Sequence, residues 1–246
     1  MRTLPSVQQQ RGAFEVEHVV IDGGSGSDIE AYLRSRSSAL GYWQSRSDGG
    51  RYDAMNIGMS RCTGDLVWFM HSGDCFSDPD AVSAALDSFG SADSSELRKG
   101  WGYGRARLVD ASGRGKGEFA YPRYQLRRFA VGDKPIPHQA TFFGAELLDR
   151  LGTYDTDFGI AADQLYMLRA GMLAKPRVLD RVVCDFDTTG VGSMRSPHEH
   201  FRDARRAWHV AGYFPFGNVL AAQVASQLAE VGIYGRLAAR RLLRRS

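Results

Sequence analysis

Three aspartates stand where apolar runs end or where a helical pattern begins. The stretch LVWFMHSGDCF, Leu66 to Phe76, carries a run fit for burial into His71, Ser72, Gly73 and Asp74 before turning apolar again. EVEHVVIDGGSGSD breaks off in the same way at Asp22, and IAADQLYMLR sets Asp163 ahead of helical spacing. A carboxylate in such a corner can hold a hard cation, accept a ligand's hydrogen bonds, or take a proton from an attacking hydroxyl. Each also has a plainer use. Asp22 before two glycines suits a tight turn, Asp74 suits a cap on the turn that follows, and Asp163 suits a helix N-cap.

The elements that must position these acids alternate between two periods. Val19 to Ile21 reads as a buried strand, and Ile29, Tyr32 and Leu33 then mark one helical face. GYWQS suits a short strand, and Met55, Met59 and Cys62 share a helical face that Gly64 can stop. DLVWFM is the next strand; Asp78 as N-cap and Pro79 at the first helical position open a helix carrying Val82, Ala85 and Leu86. Strands alternating with helices of this length predict an α/β domain whose mostly parallel sheet is flanked by helices, with ligands at the carboxyl ends of the strands. From residue 95 a β-rich excursion around a glycine-rich turn interrupts the rhythm, before HQATFFGAELLDRLG, IAADQLYMLRAGML and PRVLDRVVCDFDTTGVGS resume it. A boundary near Gly192 divides a main domain, residues 1–193, from a basic helical tail, residues 194–246.

At 246 residues, 43% hydrophobic and 24% charged, the chain can bury one sizeable core. A net charge of +3 gives no reason to expect nucleic acid as a partner. The charge is uneven: Arg195 to Ser246 holds nine Arg against three acidic residues, about +6, leaving about −3 for the rest. Cys62, Cys75 and Cys184 cannot all pair and lack metal-ligand spacing, which suits a reducing cytoplasm. The opening segment has no apolar signal core, and no clean run of about 20 apolar residues offers a spanning helix. Cytoplasmic placement is expected. Near the end, Leu220, Val224, Leu228 and Val231 line one helical face, followed by Arg236, Arg240, Arg241, Arg244 and Arg245. That pattern suits a helix lying on the cytoplasmic face of an anionic membrane, or one packing its stripe on the main domain.

VEHVVIDGGSGSD, SDGGRYDAMNIGMSRCTGDLVWFMHSGDCF and GIAADQLYMLR, in this order and spacing, resemble the family-2 glycosyltransferases of GT-A fold. The similarity covers residues 2 to 193 and points to the bacterial branch with the Tyr-Asp-Ala-Met-Asn signature. It implies an inverting, metal-dependent hexosyltransferase moving sugar from a nucleoside-diphosphate donor to a hydroxyl of a lipid or glycan, as in cell-envelope glycan or glycolipid synthesis. By the same resemblance, Asp74 holds Mg²⁺ or Mn²⁺ on the donor diphosphate, with Gly73 replacing an acid found in many relatives. Asp22 reads the donor base, and Asp48, Asp53 and Asn56 lie beside the nucleotide. Asp163 is the catalytic base, and His138 and Gln139 lie near the acceptor. The loop after Asp187, with Gly190 and Gly192, corresponds to a segment that closes over both substrates. A second acid of the family's first motif is lost or shifted to Asp28.

The start departs from the family pattern. In relatives the RTLPSV helix follows a first strand, whereas here Met1 lies inside that helix. The expectation is a native start upstream of Met1, which an intact mass of 27.2 kDa would refute. The alternative is a truncated, catalytically inactive glycosyltransferase-like binding protein. A nucleotidyltransferase with a related sheet finds no support, because no glycine-rich pyrophosphate loop opens the chain.

Overall fold

The computed structural model describes residues 2–90, 94–119, 121, 123–190 and 195–243. Gly192 and the boundary expected beside it lie outside the described residues. The chain opens with helix α1 (Thr3–Gln8), strand β1 (Val19–Asp22), helix α2 (Ser27–Ser35), strand β2 (Tyr42–Ser45), helix α3 (Arg51–Met59) and strand β3 (Leu66–Trp68). Strand β4 (Cys75–Phe76) and helices α4 (Ala81–Asp87) and α5 (Ser94–Lys99) lead to the long strand β5 (Trp101–Val109) and to β6 (Gly115–Phe119). Helix α6 (Leu126–Ala130), strand β7 (Thr141–Gly144), helices α7 (Ala145–Leu151) and α8 (Ala162–Leu173), strand β8 (Arg177–Asp187), and helices α9 (Pro197–Ala211) and α10 (Val219–Leu243) complete it. Helix α4 begins two residues later than its sequence signals suggest. The Asp78 carboxylate accepts from the Asp80 N–H (2.9 Å) and pairs with Arg181 (2.8 Å), so Pro79 falls in the turn.

The pairing is mixed rather than mostly parallel. Strands β1 and β2 form a parallel two-stranded sheet of their own. The larger sheet runs β3-β7-β5-β8-β4, with β6 also on β5. Among the described residues only β5 and β8 pair in parallel there; β3·β7, β5·β7, β5·β6 and β4·β8 are antiparallel. The excursion after residue 95 is the reason. There β6 returns on β5 through a hairpin instead of a helical crossover, and so runs antiparallel to it.

Helices cover both faces, and adjacent residues of one strand show it. On β7, Phe143 joins a core with Trp101, Tyr103, Leu147, Leu165, Tyr166 and Trp208, while Phe142 joins Phe76, Ala81, Ala85, Leu179 and Val183 on the other side. Helix α8 is buried nearly all round, which fixes its first turn firmly. Helix α9 has a capping box, Ser196 with Glu199, Pro197 in its first turn and Gly212 in the left-handed region at its end. Its Ala207 and Trp208, and Ala222 of α10, belong to the main core, so the basic C-terminal helices are packed onto the sheet domain. All three cysteines are free thiols.

Candidate active site

Strand β3 runs into the corner at His71 to Asp74, and helix α1 grips that corner from outside. Thr3 Oγ1 accepts from the Gly73 N–H (3.0 Å), Ser6 Oγ accepts from the Phe76 N–H (3.2 Å), and Arg2 donates to the Gly73 carbonyl (3.3 Å). Asp74 is 3% exposed. Its Oδ1 accepts from the Asp187 N–H (2.7 Å), which ties the corner to the end of β8 rather than capping the following turn. Burial, with the nearby Asp187 charge, lifts the Asp74 carboxyl to about 7 against hydrogen bonds from Asp187 and the Gln139 side chain. Asp187 goes the other way: the Thr189 N–H (2.9 Å) and hydroxyl (2.7 Å) donate to it and hold it below the usual range. Two neighbouring carboxylates are thus pushed apart, one reluctant to ionise and one charged.

Gly73 explains how they meet. Its φ of +99° is in the left-handed region, and a Cβ there would come within 3.0 Å of Asp187 Oδ2. The space that a side chain at residue 73 would take is filled by the Asp187 carboxylate. Sequence reading missed Asp187; its only signal is a lone acid between a strand and a Thr-Thr-Gly turn. An all-oxygen set with an under-compensated buried carboxylate fits a hard divalent cation. Among the described residues no third His, Cys, Asp or Glu completes a cluster, so phosphate oxygens and water would supply the other ligands.

Asp163 lies in the first turn of α8, two residues after the N-cap Ala161, and its carboxylate accepts from the Gln164 N–H (2.8 Å). Burial raises its pKa above the usual carboxylate range, against lowering by that N–H, by His71, by the Tyr52 hydroxyl and by Arg51. An acid raised this way at a helix start is suited to receive a proton. Its surroundings are aromatic: Tyr154 stacks on Tyr166 (3.9 Å between centroids) and on Tyr52 (5.8 Å), and the Tyr52 hydroxyl donates to the Ile160 carbonyl (2.7 Å).

His71 and His138 join the two halves. The His71 carbonyl accepts from the Asp74 N–H (3.1 Å), and its ring lies near parallel to that of His138, 6.2 Å away. Burial lowers His71 to about 4 and His138 to about 3, so both rings are neutral near pH 7. His138 is 2% exposed and its Nε2 lies 2.8 Å from the Tyr154 hydroxyl. It is a wall member, shielded from an acceptor in this conformation. Gln139, expected on the acceptor side, lies instead against Asp74, while its carbonyl accepts from the Trp68 indole N–H (2.7 Å). Arg51, at the start of α3, was also missed. It is exposed, has no ion pair among the described residues, and its charge reaches His71, His138 and Asp163.

The expected nucleotide residues gather at the ends of β1 and β2. Asp22 accepts from the Gly24 and Ser25 N–H groups (3.3 and 3.0 Å) and from the Ser25 and Ser45 hydroxyls (2.5 and 2.6 Å). Burial alone would raise it, but the bonds from Ser25, Ser45 and Gly24 outweigh burial and hold it below the usual range. Asp48 accepts from the Gly50 N–H (2.8 Å) and packs against Gly23, and Asp53 accepts from the Gly49 N–H (2.9 Å). Asn56 is turned to structure: its amide donates to the Tyr154 carbonyl (3.0 Å) and accepts from the Tyr154 N–H (2.7 Å). Each arm makes one bond to the Tyr154 backbone and so helps position the aromatic column. A separate cavity of 720 Å³, lined by Arg123, Tyr124, Lys175, Arg177 and neighbours, opens at the start of β8, about 30 Å along that strand from Asp187.

Comparison with known proteins places this geometry. Residues 1–139 match the family model described as Glycosyl transferase family 2. A protein of Mycobacterium tuberculosis, named as an uncharacterised glycosyltransferase, is 48% identical over 217 residues, covering 88% of this chain and 80% of that protein. A PGL/p-HBAD biosynthesis glycosyltransferase of Mycobacterium bovis is 28% identical over 170 residues, covering 68% of this chain and 62% of that one. Among solved structures, S. aureus TarS in complex with UDP-GlcNAc superposes with a TM-score of 0.59 at 17% identity, covering 83% of this chain and 60% of that one. A Pyrobaculum calidifontis mannosyltransferase in complex with GDP-Man and Mn²⁺ gives 0.52 at 17% identity over 94% of this chain and 76% of that one. These two likenesses carry the fold.

Proposed function

This chain belongs to glycosyl transferase family 2 and is a glycosyltransferase of GT-A fold; from that premise we propose that it is an inverting, metal-dependent hexosyltransferase of the Tyr-Asp-Ala-Met-Asn branch. The donor is a nucleoside-diphosphate sugar, the class bound by the TarS and mannosyltransferase neighbours. The acceptor is a hydroxyl of a lipid or glycan, in keeping with the name of the M. bovis relative, and the site of action is the cytoplasmic face of the membrane. The observation that carries the reading is one wall bearing two under-compensated acids, Asp74 and Asp163, linked through His71.

In this mechanism Asp163 takes the acceptor hydroxyl's proton as that oxygen bonds to the anomeric carbon. The bond from that carbon to the diphosphate breaks on the opposite side, its electron pair leaves with the nucleoside diphosphate, and the configuration inverts. The Gln164 N–H orients the base, the Tyr52 hydroxyl holds the Ile160 carbonyl just before it, and Tyr154 and Tyr166 stack beside the turn that carries it. Asp74 and Asp187 would hold Mg²⁺ or Mn²⁺, whose charge offsets that building on the departing diphosphate. Arg51 adds a cation on the same side. Asp22, Asp48 and Asp53 shape the nucleotide wall, and His138 backs the sugar side without reaching solvent.

Calorimetric titration of UDP, with and without Mn²⁺, beside Asp74→Ala tests the donor half. Metal-dependent binding by the parent chain, lost in the variant, is expected. Parent binding that ignores both Mn²⁺ and Asp74 would overturn the metal assignment.

A further inference from the structure

We infer that the outward face of α10 is a docking ridge for an anionic lipid surface. The inference reaches beyond the catalytic reading and rests on this helix alone.

Helix α10 is anchored on one side and apolar on the opposite one. Its inner side carries Ala222 and Ser226, both fully buried, and is pinned to α9: Arg205 donates to Glu230 (2.9 Å) and Ser226 (3.2 Å), and His198 Nδ1 meets Glu230 (2.8 Å). The opposite side repeats Leu220, Val224, Leu228 and Val231 at spacings of four, four and three, with Tyr234 beside them. Leu220 is 79% exposed, and Leu228 and Val231 are each 68% exposed. Phe216, exposed and at a positive φ of 65°, stands at the head of the same helix. A helix already anchored on one side has no folding reason to carry an apolar stripe on the other in water.

Two features select the occupant. Eleven residues in three turns give a period of about 3.7, and with Tyr234 the ridge spans about 120° of the helix, wider than the 3.5-residue seam of a left-handed coiled coil. A broad face of that period suits a plane. Charge decides between a bilayer and a second copy. The segment from Arg195 holds nine Arg and three acidic residues, and the sequence that follows the ridge carries Arg236, Arg240, Arg241, Arg244 and Arg245. A second copy would add the same positive charge, whereas anionic headgroups oppose it. No helix among the described residues is long and apolar enough to cross a membrane, so contact is along the surface.

The test is co-sedimentation of the full chain with phosphatidylcholine vesicles, with and without phosphatidylglycerol, at low and high salt. Binding to the anionic vesicles that weakens with salt is expected, with a loss of at least about tenfold in Leu228→Asp. Because Leu228 faces water, the variant should keep the parent's thermal midpoint and its UDP binding, which separates this inference from the donor-site reading. Failure of the parent to bind anionic vesicles at low salt would overturn it. So would equal vesicle binding by parent and variant, or a parent dimer that Leu228→Asp splits while neither form binds lipid.

Discussion

Asp22 ends strand β1 and Asp74 lies in the corner between β3 and β4, and the two acids meet opposite fates. Asp22 collects four hydrogen bonds within its own turn and the neighbouring strand and is held below the usual carboxylate range. Asp74 is buried beside a charged Asp187 and is lifted to about 7. One acid is satisfied by the protein; the other needs something the protein does not provide. Perturbation of this kind marks functional sites more often than structural ones. By that measure Asp163 belongs with Asp74, and Asn56, with each arm bonded, belongs with Asp22.

The largest expected effect tests the unsatisfied class. Asp163→Asn should lower kcat about a thousandfold while leaving UDP affinity within about twofold, measured by steady-state turnover and calorimetry. Retention of a large share of activity would break the grouping. Next comes Asp74, where function and stability should separate. Between pH 4 and 7 the folded state keeps the Asp74 proton and the unfolded chain does not, so this group's stability contribution is complete at low pH and lost as pH rises through about 7. Asp74→Asn removes that loss. Its thermal midpoint above pH 7 should exceed the parent's by about 2–4 °C for each kcal/mol recovered, while transferase activity disappears. His71 and His138 act with the opposite sign: their folded values, about 4 and about 3, make stability rise with pH up to about 6.5, the ordinary histidine value. A parent whose midpoint climbs steadily from pH 4 to 8, with Asp74→Asn no more stable, would contradict the account of the corner.

Smaller effects sharpen the comparison. Asp187→Asn should weaken Mn²⁺ binding in the presence of UDP about tenfold, read by titration of the metal, since the charged member of the pair is gone. Arg51→Ala should raise the donor KM several-fold with little change in kcat, because its charge acts on binding. Asp22→Ala should cost about 1 kcal/mol of stability through the turn it holds and change donor KM only a few-fold. A larger fall in donor affinity than in Asp187→Asn would move Asp22 into the class of Asp74.

The sequence carried the alternation of strand and helix, the three acidic corners and the two-sided core, because each follows from a local period or from residues adjacent in the chain. What it could not show is what comes together from afar. Asp187 reaches Asp74 across 113 positions, and only the left-handed backbone at Gly73 makes room for it. The family resemblance treats His138 and Gln139 as one pair, yet the two side chains take different directions, Gln139 to Asp74 and His138 to Tyr154. Strand direction was misjudged where the excursion returns by a hairpin, since a short apolar run reads alike in either direction.

Trp68 gives the donor corner a built-in optical gauge. Its indole N–H is fixed to the carbonyl of Gln139, whose side chain rests on Asp74. Trp101 and Trp208 are fully buried in the main core and belong to the quiet background. Trp43 of β2, the fourth indole, lies on the nucleotide side, so in a Trp43→Phe protein a ligand that draws on Asp74 must tug on Gln139 and alter the surroundings of Trp68, and the emission can report occupancy of the corner in real time.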